Sequence, residues 1–242
     1  MRVAVAILVI AASAVAAFAL APAPRDTPAP VTTPTAAPFV TADPSVTARA
    51  DPVAVGGRSG EDDRAVRRAV RVRGLLLPVD GVELPTDDEL LPNAERAYRG
   101  GWHEGIDFPA PAGTPVRAVA RGVVVRIDRE FTDWPAESER AALAEATRLG
   151  YTPDVTLDLI RGRQVWIDHG GGIVSRYAHL DTVADLAVGA RVERGTIVGT
   201  VGSSGYPEGG PHLHLEIRTG TSYLGDGLTG DALRAAVAAA FG

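Results

Sequence analysis

The pattern of apolar and polar positions changes character twice along the chain. Val3 to Ala21 runs without a charge and is rich in Ala, Val, Ile and Leu. Pro22 to about Gly57 is a Pro-, Ala- and Thr-rich stretch with almost no aromatic residues. From about Gly74, short apolar runs are punctuated by glycine and proline. Val116 to Val119, Gly122 to Ile127, Gln164 to Asp168, Ile173 to Tyr177, Arg191-Val192, Ile197 to Val201 and Leu213 to Arg218 predict strands. Gly170-Gly171-Gly172 predicts a hairpin turn. The expected fold is mainly β, a compact antiparallel sheet or sandwich. A helical insertion over about 129–163 interrupts it. Pro135 to Leu149 is rich in alanine and glutamate, with Pro135 at a first helical position and Gly150 beyond the end. Thr152-Pro153 starts a second short helix. Hairpin loops normally run 2–5 residues, so an insertion of this size is either functional or a family elaboration. Thr229 to Phe241 predicts a C-terminal helix packed on the outside.

The N-terminal part cannot build a core. Arg2 followed by Val3–Ala21 is close to the ~20 apolar residues that span a bilayer as a helix. Ala19-Leu20-Ala21 also fits the small-x-small rule of a cleaved export signal. Residues 1–21 are therefore read as a signal peptide or a membrane anchor, and both send the remainder out of the cytoplasm. Residues 22–57 form a disordered linker, with a reach of roughly 100 Å when extended at ~3.1 Å per residue. Residues 58–73 form a charged lead-in, in which Asp62 to Val72 suits a short helix. The folded domain is expected over 74–242. A formal net charge of −6 over 242 residues argues against a nucleic-acid binder.

The chain holds five histidines and no cysteine. Disulfides and thiolate sites are excluded, and imidazole and carboxylate remain as the strong transition-metal ligands. His103 and Asp107 lie four residues apart around Gly105, where a glycine lets the backbone bend so that both side chains converge on one ion. His212 and His214 form an H-x-H pair. In a strand they project from one face while Leu213 and Leu215 enter the core. His103, Asp107 and one histidine of that pair would leave an open position on a tetrahedral zinc, the pattern of a catalytic site. His179 ends a predicted strand, and His169, at the mouth of the glycine turn, suits a structural role.

The order His103-Glu-Gly-Ile-Asp107, Gly113-Thr-Pro-Val-Arg-Ala118, Val165-Trp-Ile-Asp-His-Gly170, Tyr177-Ala-His-Leu180 and Gly210-Pro-His-Leu-His-Leu-Glu216 resembles the lysostaphin-type (LytM-type) zinc metallopeptidases. These cut peptide bonds in bacterial peptidoglycan. The resemblance covers roughly Leu75 to Leu228. It implies one Zn²⁺ ion held by His103, Asp107 and His214. It also implies His179 and His212 as the non-ligand histidines of the active site, and peptidoglycan peptides as substrate in the extracytoplasmic envelope. The 129–163 insertion departs from the family. It is expected to wall the cleft, choose substrates, dock an envelope regulator or inhibit the enzyme. A non-catalytic or partner-gated regulator of other wall hydrolases is the alternative, although such relatives typically lack ligands. The Val188 to Val201 hairpin resembles lipoyl- or biotin-bearing domains, but those attach their cofactor to lysine and this chain has none.

Overall fold

A computed structural model describes residues 72–242. The assignments to 1–21, to 22–57 and to 58–73 except its last two residues lie outside the described residues, as does all but the end of the short helix expected over Asp62 to Val72.

Among the described residues there are ten strands, most of them at runs of β-branched residues. They are β1 (Ile106–Pro109), β2 (Pro115–Arg117), β3 (Gly122–Asp128), β4 (Gln164–Asp168), β5 (Ile173–Ala178), β6 (Leu180–Val183), β7 (Arg191–Val192), β8 (Ile197–Val201), β9 (His212–Thr219) and β10 (Ser222–Tyr223). The larger sheet has the order β1-β9-β5-β4-β3-β7, with β10 also on β9, and the smaller is β2-β8-β6. Every pairing is antiparallel. One core serves both sheets. Phe108, Ile167, Tyr177, Leu213 and Leu215 enter it from the larger sheet, and Val116, Leu180, Val198 and Val201 from the smaller. The fold is thus mainly antiparallel β, as its periodicity predicts. The glycine turn forms as expected: Gly170, Gly171 and Gly172 all take positive φ between β4 and β5, which glycine alone adopts freely.

Three helices complete the domain. The insertion carries α1 (Ala136–Leu149) and α2 (Asp154–Arg161). Pro135 caps α1 rather than entering it, and Gly150 ends it at φ 75°. The C-terminal α3 (Gly230–Phe241) is less peripheral than expected. Leu233, Val237 and Ala240 are buried, and Phe241 meets Phe108 edge-on, 6.3 Å between ring centres. The start of the fold is tied to this end, because Leu75 N–H donates to Ala240 O at 2.9 Å. Among the described residues no helix is long and apolar enough to cross a membrane.

The register places the polar residues of the larger sheet on one face. Asp107 lies opposite His214, Glu216 opposite Arg176, and Arg176 opposite Trp166. A register shift between Val124 and Arg126 brings Arg126 opposite Trp166. The insertion leaves the sheet between β3 and β4, and α2 meets this polar face through Asp158 and Arg161.

Candidate metal centre and its groove

Strand alternation sets one half of the site. Along β9, Leu213, Leu215 and Ile217 are buried in the core, so His212, His214 and Glu216 share the opposite face. Asp107 joins them from β1, an element that the sequence pattern did not reveal. His103 precedes β1 at the base of a hairpin-like loop. Its N–H donates to Ala94 O, and its carbonyl accepts from Asn93 N–H, both at 2.8 Å.

Three ligand atoms meet there. His103 Nε2 lies 3.0 Å from Asp107 Oδ1 and 3.0 Å from His214 Nδ1, and the last two are 2.8 Å apart. A zinc tetrahedron with bonds of about 2.0–2.1 Å has edges of about 3.3 Å, so the triangle is close to the size an ion needs. The chemistry of the donor set points the same way. His103 Nδ1 is 2.8 Å from Leu91 O. A carbonyl only accepts, so Nδ1 carries the proton and Nε2 offers a lone pair. His214 Nε2 faces Glu216 Oε1 at 3.5 Å, which leaves Nδ1 free for a metal. Such outer partners fix the tautomer of ligating histidines. The residues present fit a single divalent ion.

The electrostatics agree. Burial lowers the pKa of His103, outweighing the pull of Asp107. Burial alone would raise Asp107, but His103 and His214 hold its carboxyl well below the usual range. Burial opposes charge on His214, yet Asp107 and Glu216 raise its pKa. The carboxylates that hold a proton there also favour a bound cation.

Two more imidazoles flank the triangle. His179 and His212 have ring centres 4.6 Å apart, and His212 Nε2 is 3.9 Å from Asp107 Oδ1. Both give Nδ1–H to a carbonyl, Ser204 O at 3.0 Å and Gly210 O at 2.9 Å. Burial, helped by His212 and His214, pushes His179 down to about 3, so its Nε2 is an unprotonated base at neutral pH. His179 sits at φ 59°, a left-handed conformation that costs a non-glycine residue ~1–2 kcal/mol. Such strain concentrates at functional sites.

These residues line a groove of about 360 Å³. Leu157, Ile160 and Arg161 of the insertion form part of its wall, and Tyr206 lines it beside His179. Tyr206 stacks on Tyr98 with ring centres 5.5 Å apart.

The other singled-out residues behave differently. Both nitrogens of His169 are occupied, by Arg121 O and Ser175 Oγ at 2.8 Å each, which is a structural role. Glu104 turns to Arg218 at 2.6 Å. Gly105 is required for a different reason than backbone bending. Its φ is not positive, but a β-carbon there would lie 2.7 Å from His214 Cε1 and from Leu215 O. The sequence reading passed over Glu216 and Arg161. Glu216 shares the strand parity of His212 and His214, and that was a usable signal. The approach of Arg161 across 55 positions carried none.

Residues 145–225 match Peptidase family M23. The match contains His179, His212 and His214 and begins inside α1, after His103 and Asp107. The chain is 35% identical over 116 residues to the DD-carboxypeptidase/endopeptidase Mpg of Neisseria meningitidis, covering 48% of this chain and 20% of that protein. It is 32% identical over 120 residues to the glycyl-glycine endopeptidase ALE-1 of Staphylococcus capitis, covering 50% and 25%. It thus spans a quarter or less of the length of these relatives. Among solved structures, the catalytic domain of lysostaphin from Staphylococcus simulans aligns at 24% identity and TM-score 0.38, over 55% of this chain and 82% of that one. Over residues 145–225 the chain is therefore similar to Peptidase family M23.

Proposed function

We propose that the protein is a zinc-dependent endopeptidase that hydrolyses peptide bonds of peptidoglycan outside the cytoplasm. The observation that carries this reading is the 2.8–3.0 Å triangle of His103 Nε2, Asp107 Oδ1 and His214 Nδ1, flanked by two further imidazoles. The endopeptidase activities named for the similar proteins support peptide-bond hydrolysis, and a further one named as the peptidoglycan DD-endopeptidase ShyC of Vibrio cholerae supports the substrate class. Zn²⁺ bound at such a site supplies Lewis-acid polarisation of a carbonyl and lowers the pKa of water. His103, Asp107 and His214 would hold the ion. His179 offers Nε2 as proton acceptor, because its Nδ1–H is committed to Ser204 O. His212, anchored through Nδ1 to Gly210 O, presents its other nitrogen to the same space. These two histidines would take a proton from the attacking water toward the leaving amine or stabilise the developing charge. Tyr206 and the insertion wall the groove along which the peptide would lie. The regulator alternative is not favoured, since every expected ligand is present and the three converge.

The experiment is digestion of purified peptidoglycan by the full chain, with and without a chelator, followed by separation of the released muropeptides. Chelator-sensitive release supports the reading. Release that persists in excess chelator removes the metal from it.

A further inference from the structure

The helical insertion ends on the metal centre. Arg161, the last residue of α2, donates from Nε to Glu216 Oε1 at 2.7 Å. Its Nη1 donates to Asp158 Oδ1 at 3.2 Å, and its Nη2 faces Glu104 Oε2 at 3.6 Å. The two side chains are 8% and 1% exposed. Glu216 Oε1 is also the atom that faces His214 Nε2. One oxygen therefore meets the guanidinium of the insertion on one side and the candidate ligand on the other. The remaining oxygen, Oε2, is held by Arg176 at 3.1 Å and Arg218 at 3.4 Å. Arg161 reaches Oε1 through Nε alone, and with Nη1 on Asp158 and Nη2 facing Glu104 its planar guanidinium is held in one orientation, which fixes where Oε1 points.

The backbone of Arg161 reaches the second half of the site. Its carbonyl accepts His179 N–H at 2.8 Å, the residue in the left-handed conformation. The next residue, Gly162, abuts Ser204 so closely that a β-carbon there would collide with the Ser204 backbone. Ser204 O is the acceptor for His179 Nδ1.

We propose that Arg161 is a positioning residue through which the insertion sets the metal centre, by orienting His214 through Glu216. Metal affinity then depends on how α2 is docked. The proposal rests on the reading of His103, Asp107 and His214 as metal ligands.

The test uses the full chain and measures Zn²⁺ affinity by competition with a chromophoric chelator, alongside the visible spectrum of the Co²⁺ form. Arg161→Met is expected to weaken Zn²⁺ binding about tenfold, the lower end of the range for partners behind a ligand, and to alter the Co²⁺ bands. Arg161→Lys is expected to fall between, since a lysine keeps a charge for Glu216 but loses the planar group that Asp158 and Glu104 hold in place. The double variant Arg161→Met/Glu216→Gln should bind Zn²⁺ no more weakly than Glu216→Gln alone, because Arg161 acts through Glu216. A merely structural role would not produce that non-additivity. Zn²⁺ affinity within twofold of wild type in folded Arg161→Met, or additive losses in the double variant, overturns the proposal. Should Arg161→Met fail to fold, wild-type affinity in Arg161→Lys does the same. If wild type itself binds no Zn²⁺, or His214→Ala binds it equally well, the ligand reading beneath the proposal falls instead.

Discussion

A single methyl group at position 105 probes how tightly the candidate metal centre is built. In Gly105→Ala the new β-carbon would lie 2.7 Å from His214 Cε1, 2.7 Å from Leu215 O and 2.9 Å from His214 Nε2. Ordinary contact begins at 3.4 Å, so one side must retreat by about 0.7 Å. Leu215 O belongs to the β1–β9 pairing, where Leu215 lies opposite Ile106, and cannot retreat without breaking the sheet. The His214 ring or the 103–107 segment must therefore move, and either opens the 2.8–3.0 Å triangle. Metal sites tolerate about 0.2 Å in their ligand distances. Overpacking of this kind costs ~1–3 kcal/mol, which at ~1.4 kcal/mol per decade is about 5- to 140-fold in Zn²⁺ affinity if taken wholly at the site. Competition titration of Zn²⁺ with a thermal melt reads both quantities. Gly113→Ala is the control. Gly113 has φ +85° and open space around its α-carbon, so its substitution should lower Tm while leaving Zn²⁺ affinity unchanged. Wild-type affinity and Tm in Gly105→Ala would refute the close-approach argument.

The remaining predictions address other parts of the account. Thr152→Val should lower stability by ~1–3 kcal/mol in denaturant melts, because the buried hydroxyl accepts from Arg99 Nη1 at 2.8 Å and lies 2.6 Å from Gly100 O. It should also loosen the insertion from the 97–101 loop, read as faster amide exchange in α1 and α2. In chelator-treated protein, the depressed His179 gives a definite sign. Its folded pKa of about 3 lies below the unfolded 6.5, so the unfolded state binds more protons between these values. Its stability contribution is present above about 6.5 and is lost as pH falls toward 3, with a slope of at most ~1.4 kcal/mol per unit. His179→Asn should flatten the stability–pH curve over that window relative to wild type. His212→Ala should keep Zn²⁺ and lose most activity, whereas His214→Ala should lose both; equal Zn²⁺ loss in the two variants, by metal analysis, would break the division of roles.

Much of the sheet was legible because its strands are β-branched runs bounded by glycine. β4, β7 and β8 fall on the expected residues, α1 lies between its Pro135 and Gly150 signals, and α2 starts just after Pro153. The H-x-H face was legible from parity alone, since Leu213 and Leu215 are core residues. β1 was not. Ile106-Asp-Phe-Pro109 is four residues long, ends in proline and acquires strand character only by pairing with β9, more than a hundred positions away. β6 was missed for similar reasons: Leu180 is its one fully buried residue, and Asp181 and Thr182 are exposed. The carbonyl partners that fix each imidazole, such as Leu91 O and Ser204 O, belong to backbone geometry and leave no residue-type signature. The same holds for Arg161, an ordinary charged residue in sequence that becomes the contact between insertion and site only after α2 docks.

The measurement that bears most directly on the central claim is mass spectrometry of the fragments released from purified peptidoglycan by the Zn²⁺-loaded full chain, run beside His212→Ala, His214→Ala and a chelated sample. The account predicts fragments with new amino and carboxyl termini, arising from cleaved peptide bonds, from the wild type alone. Equal release by His214→Ala or by the chelated sample would contradict it, as would fragments cut only within the glycan.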